Sequence, residues 1–137
     1  MSEWKNTDEA VAPHVADGFV ASDPGVYAVE IGVPESTGYE TLARDWLKYY
    51  ESTPPYLGRL VDAETVIYVG ASKNVRDRIE EHRRGKVRKA TLPRIWGVTG
   101  VHTCWWYKDV SRAFERESYH ALELSKETAT STYVHSR

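Results

Sequence analysis

Val66-Ile67-Tyr68-Val69-Gly70-Ala71-Ser72-Lys73-Asn74-Val75-Arg76-Asp77-Arg78-Ile79-Glu80-Glu81-His82 carries the chain from a strand into a helix. Residues 66–70 are β-branched and aromatic apart from their closing glycine, the composition of a strand. Past Gly70, Ser72 or Asn74 can accept hydrogen bonds from the first free N–H groups of a helix, and Asp77 places negative charge in its first turn. Gly85 is the matching stop. Within the helix Val75 and Ile79 are four apart and face the core. Arg78 and His82, also four apart, are neighbours on an adjoining face and can act on one ligand.

Outward from this unit, Ser22-Asp23-Pro24-Gly25 signals a turn, and 26–33 alternates Val26 and Ala28 against Tyr27, Val29, Ile31 and Val33. Tyr27 therefore belongs to a strand, which pairs with 66–70 through a long connection. Residues 34–38 break that strand. Leu42, Trp46, Leu47 and Tyr50 then follow helical spacing over 39–51, ended by Pro54-Pro55. Residues 100–107 alternate as a third strand. A helix is predicted over 110–126, capped by Asp109 or Ser111, with the stripe Val110, Phe114, Glu117, Ala121 and Leu124. Glu117 stands where that stripe calls for an apolar side chain. A buried, unpaired carboxylate costs several kcal/mol, so such a group is expected to hold a cation or a hydrogen-bond partner. The competing reading puts Glu117 at the stripe's margin, paired with Arg112 or Arg116. The fold class read from these elements is α/β (α+β), a small three-stranded, mainly antiparallel sheet flanked by helices. Residues 1–18 mix charges with Pro13 and Gly18 and read as a mobile lead-in; 19–137 read as a single domain.

Composition bounds the function. At 137 residues, with 41% hydrophobic and 28% charged residues, the chain is of ordinary globular make-up. No apolar run approaches the roughly 20 residues that cross a bilayer, so no membrane partner is expected. The start lacks the pattern of a secretory signal and Cys104 is the sole cysteine, which points to a reducing, cytoplasmic location. Cys104 with His102 does not make a metal site, because structural zinc needs four ligands. Net charge is −2, yet 73–94 holds nine basic residues against three acids. A segment of that kind can track a phosphate backbone, and its candidate contacts are Lys73, Asn74, Arg83, Arg84, Lys86, Arg88, Lys89 and Arg94. A solvated helix face followed by a basic loop would produce the same count.

Gly25-Val26-Tyr27 and Tyr68-Val69-Gly70, the helix from Ser72 through Arg78 and His82, and Glu115-Arg116-Glu117 on the later helix together resemble the GIY-YIG nuclease family, in a variant with GVY and YVG motifs. The resemblance spans about residues 24–126. It implies a metal-dependent endonuclease acting on duplex or branched DNA, with one Mg²⁺ or Mn²⁺ held by Glu117, water and the scissile phosphate. Arg78 would face the phosphate and stabilise charge growing on its oxygens. Tyr27 and Tyr68 would line the same pocket, one helping to deprotonate the attacking water; Tyr27 is the choice for that base. A free phenol has a pKa of about 10, so this role needs a metal or an arginine nearby. His82 would orient a tyrosine or shuttle a proton. One active site cuts one strand, so a homodimer or a partner protein is compatible with the reading, as are repair and restriction.

Two features depart from the family pattern. The step from Tyr27 to Tyr68 is 41 positions, longer than the usual connection, so 34–64 reads as an insertion. An Asn often found after the metal-binding helix has no counterpart, since 128–137 contains none. Two rival functions remain: a catalytically inactive nucleic-acid-binding module of the same fold, and a protein-interaction domain using Trp46, Trp96, Trp105 and Trp106 on an exposed patch.

Overall fold

The alternation beginning at Val26 forms strand β1 (Gly25–Ile31), which sends Tyr27, Val29 and Ile31 into one core and Val26 and Ala28 into another. The structure is a computed structural model and describes residues 6–34 and 38–136. The predicted break at 34–38 thus lies partly outside the described residues. β1 pairs antiparallel with β2 (Thr65–Ser72) and with β3 (Val98–Trp106). A fourth strand, β4 (Thr132–Ser136), pairs parallel with β2, giving the order β3-β1-β2-β4. The expectation of three strands is therefore corrected to four among the described residues, while antiparallel pairing still predominates. Thr-Tyr-Val-His-Ser is too short and too mixed to declare itself locally; its partner lies 67 positions away in the chain.

Five helices cover the Tyr27 side of the sheet: α1 (Thr7–Val11), α2 (Tyr39–Leu47), α3 (Leu57–Val61), α4 (Val75–Arg83) and α5 (Thr91–Trp96). Val11, Leu42, Trp46, Leu57, Leu60, Val75, Ile79 and Leu92 bury their side chains there. On the other side α6 (Val110–Glu127) sets Ala121 and Leu124 over Val26, Ala28, Ile67, Val69 and Ala71. The α6 stripe differs from the predicted one. Val110 and Phe114 are exposed, and Ala113, His120, Ala121 and Leu124 are buried. The helix is rotated so that small side chains meet the sheet and His120 stacks on Trp105, ring centres 4.3 Å apart, and hydrogen-bonds Tyr107. Among the described residues no helix is long and apolar enough to cross a membrane.

Residues 7–11, read from sequence as part of a lead-in, form helix α1 and pack on α4, with Val11 fully buried. Thr7 donates to Glu80, which also accepts from Arg83 and Arg84 at 3.1 and 2.5 Å. These donors, the Thr7 hydroxyl first and then Arg83, hold the Glu80 carboxyl down to about 2. Because its ordinary pKa is 4.5, the stabilisation is complete above that pH and is lost as pH falls toward 2. Glu80→Gln is expected to lower the unfolding midpoint at neutral pH and to flatten its decline across this acid window, measured by thermal unfolding at a series of pH values.

Candidate active site

Tyr27 lies opposite Gly70 in the β1–β2 register, and the missing side chain at Gly70 is what its ring occupies. A Cβ at Gly70 would stand 2.6 Å from the Tyr27 ring carbon that bears the hydroxyl. Gly25 is constrained in the same way, since a Cβ there would fall 2.5 Å from the Trp105 carbonyl oxygen. Each glycine in the two tripeptides thus removes bulk where a ring or a backbone passes close.

From β1 and β2 the side chains of Tyr27 and Tyr68 project toward α4, where both are almost fully buried. The Tyr27 hydroxyl is hydrogen-bonded to His82 Nε2 at 2.6 Å. Tyr68 meets the same imidazole edge-on, ring centres 5.4 Å apart. His82 is itself buried, one turn beyond Arg78, so the predicted neighbours divide their work: the imidazole turns inward and the guanidinium stays partly exposed. Arg78 makes a long ion pair with Glu81 at 3.9 Å. Helix α4 is aimed by its start, where Asn74 accepts from the Asp77 N–H at 3.0 Å and the Val75 and Arg76 N–H groups bond the Asp23 and Ala21 carbonyls.

Tyr27, Tyr68, Arg78, His82 and Glu117 all line one small hollow of about 60 Å³, with Gly70 and Ala71 beside them and Val87, Ala90 and Phe114 at its margin. Glu117 enters it from α6, on the far side of the sheet. Glu117 is half-buried and is not among the buried residues of α6, so it stands off the buried face where the predicted stripe had put it. Phe114 was read as a core residue and instead lies 47% exposed at the hollow's rim. Its position one turn before Glu117 is the signal that could have found it. His135, absent from the predicted site, sits opposite Tyr68 in β4 and accepts from or donates to the Tyr133 hydroxyl at 3.0 Å; burial lowers its pKa.

The donor set of the hollow is one carboxylate, two phenols and an imidazole. That composition suits a hard divalent cation held by one carboxylate, with water and substrate oxygens completing its shell, and it does not suit zinc. Among the described residues no group of three or more His, Cys, Asp or Glu side chains is placed to hold a metal ion. Cys104 is buried, and burial pushes its thiol up to about 12.

The predicted backbone-binding residues differ in their surroundings. Asn74 is occupied as the α4 cap, and Arg83 and Arg84 are held by Glu80. Lys73, Lys86, Arg88 and Lys89 are exposed, the last three on the loop after α4. Arg94 lies over the rings of Tyr49 and Tyr50. The four tryptophans do not form an exposed patch: Trp46 is buried, the Trp96 and Trp106 indoles donate to Asp45 and the His14 carbonyl, and Trp105 is stacked on His120.

Comparison with known families matches residues 59–129, just over half of the chain, to the GIY-YIG catalytic domain. The chain belongs to the GIY-YIG family, whose domains are typically nucleases. The matched stretch contains Tyr68, Arg78, His82 and Glu117, whereas Gly25-Val26-Tyr27 lies before it and joins the site through strand pairing. No curated protein and no solved structure gives a match.

Proposed function

We propose that this protein is a metal-dependent endonuclease that hydrolyses phosphodiester bonds in DNA. The observation that carries the reading is the meeting of Arg78, Tyr27, Tyr68, His82 and Glu117 in one hollow of a nuclease-family domain. Hydrolysis adds water oxygen to phosphorus and breaks the bond to the leaving sugar oxygen, so the site must hold the phosphate, take a proton from water and offset negative charge. Arg78, partly exposed at the mouth, meets the phosphate and offsets charge growing on its oxygens. Tyr27 is the base: its hydroxyl proton passes to His82 Nε2, and the phenol oxygen then accepts the proton of the attacking water. Tyr68 closes the other side of the imidazole and helps to position the water or phosphate. Glu117 would hold a divalent cation, Mg²⁺ or Mn²⁺, which would supply Lewis-acid stabilisation of the phosphate charge. Tyr27 and His82 are almost fully buried, so the hollow is the face through which this proton exchange reaches the attacking water.

The test is incubation of the purified protein with supercoiled plasmid and with labelled linear, branched and single-stranded DNA, with Mg²⁺, with Mn²⁺ and with EDTA. Cutting that requires the metal is expected. Binding of DNA without cutting in either metal would make the protein a binding module that keeps the fold.

A further inference from the structure

The chain just beyond α2 is joined to the basic loop and to Arg94 by a specific set of contacts. Val87 and Ala90 line the catalytic hollow, and between them Arg88 and Lys89 point to solvent. The Arg88 carbonyl accepts a hydrogen bond of 3.1 Å from the Tyr50 hydroxyl, just beyond α2. The Arg94 guanidinium lies 5.4 Å from the centre of the Tyr49 ring and 5.7 Å from that of Tyr50, and those two rings are 6.5 Å apart. Tyr50 is thus turned into the molecule, whereas Tyr49 is left 47% exposed, backed by a cation. The exposed Tyr49 ring is backed by the Arg94 guanidinium, and its neighbour Tyr50 ties this segment to the backbone of the loop that carries exposed Arg88 and Lys89.

Aromatic rings next to basic side chains bind unpaired nucleotides, because an unstacked base offers its face to the ring while its phosphate meets the cation. A base inside an intact duplex has both faces covered and gains nothing there. We infer that Tyr49, with Arg88, Lys89 and Arg94, forms a platform for an unpaired nucleotide of DNA flanking the scissile phosphate, so that the preferred substrate carries a single-stranded tail or branch. The inference rests on the endonuclease reading for its scissile phosphate. Continuity of the strip supports the placement, since Val87 in the hollow directly precedes Arg88 in the chain.

The experiment is metal-free binding in EDTA, by fluorescence anisotropy, of a blunt duplex, the same duplex with a single-stranded tail, and one whose tail is abasic. The parent protein is expected to bind the tailed duplex more tightly than the blunt or abasic-tailed one. Tyr49→Ala should reduce the tailed-to-blunt affinity ratio about tenfold, and Tyr49→Phe, which keeps the ring, should preserve it. Equal affinity of the parent for tailed and blunt duplexes, equal affinity for normal and abasic tails, or an unchanged ratio in Tyr49→Ala would each overturn the platform. Failure of the endonuclease reading would appear separately, as absence of metal-dependent cutting by the parent, because this binding measurement does not involve the reaction.

Discussion

Arg78→Ala is expected to cut DNA about a hundred- to a thousand-fold more slowly than the parent protein while unfolding at nearly the same temperature. The rate loss is the usual effect of removing a charged group aimed at a developing oxyanion. The small change in stability follows from the structure: Arg78 is partly exposed, and its ion pair with Glu81 is 3.9 Å long, a class of contact worth little. On the proposed reading the loss should fall mainly on kcat, because a guanidinium facing the phosphate would interact most strongly with charge that grows in the transition state. Glu117→Ala should be equally inactive with Mg²⁺ and with Mn²⁺, since no other carboxylate is among the residues lining the hollow. The measurement is cleavage of a labelled duplex under single-turnover conditions, with circular dichroism as the fold control. Parent-like cutting by either variant would mean that the site lies elsewhere or that a contaminant is responsible.

Gly70→Ala should cost both stability and activity. One methyl group at this position would overlap the Tyr27 ring, 2.6 Å from its hydroxyl-bearing carbon. Tyr27 cannot swing aside cheaply, because it is buried on a central strand and hydrogen-bonded to His82. Overpacking of this kind costs about 1–3 kcal/mol, and any relief moves the phenol away from the imidazole. Tyr27→Ala creates room for that methyl group, so the Gly70→Ala/Tyr27→Ala double variant should be less destabilised than the sum of the single variants. Urea unfolding of the four proteins measures the coupling. Strict additivity would show that the ring does not occupy the space above Gly70.

Much of the catalytic half was legible in the chain because its signals are local. The strand at 66–70, the Asn74 cap and the Gly85 stop each depend on residues a few positions apart, and the structure places β2 and α4 there, with Gly85 in a left-handed turn at φ +68°. Glu117 stood out because a carboxylate interrupted an apolar period, although the stripe that exposed it was misaligned. The short elements were not legible. α1, α3 and α5 span only five or six residues, too few for a periodic pattern to emerge.

The sequence by itself determined the strand and helix character of 26–31, 66–70 and 75–83, and the inventory of arginine, histidine, tyrosines and glutamate that a phosphodiester site would use. Tertiary structure alone decided that β4 pairs parallel with β2, that α6 turns Phe114 to the rim, and that the Tyr50 hydroxyl donates to the Arg88 carbonyl of the basic loop. The physical reason is separation along the chain. Backbone hydrogen bonding and side-chain periodicity act between near neighbours, whereas strand order, helix rotation and the closing of the hollow depend on which distant surfaces fit together.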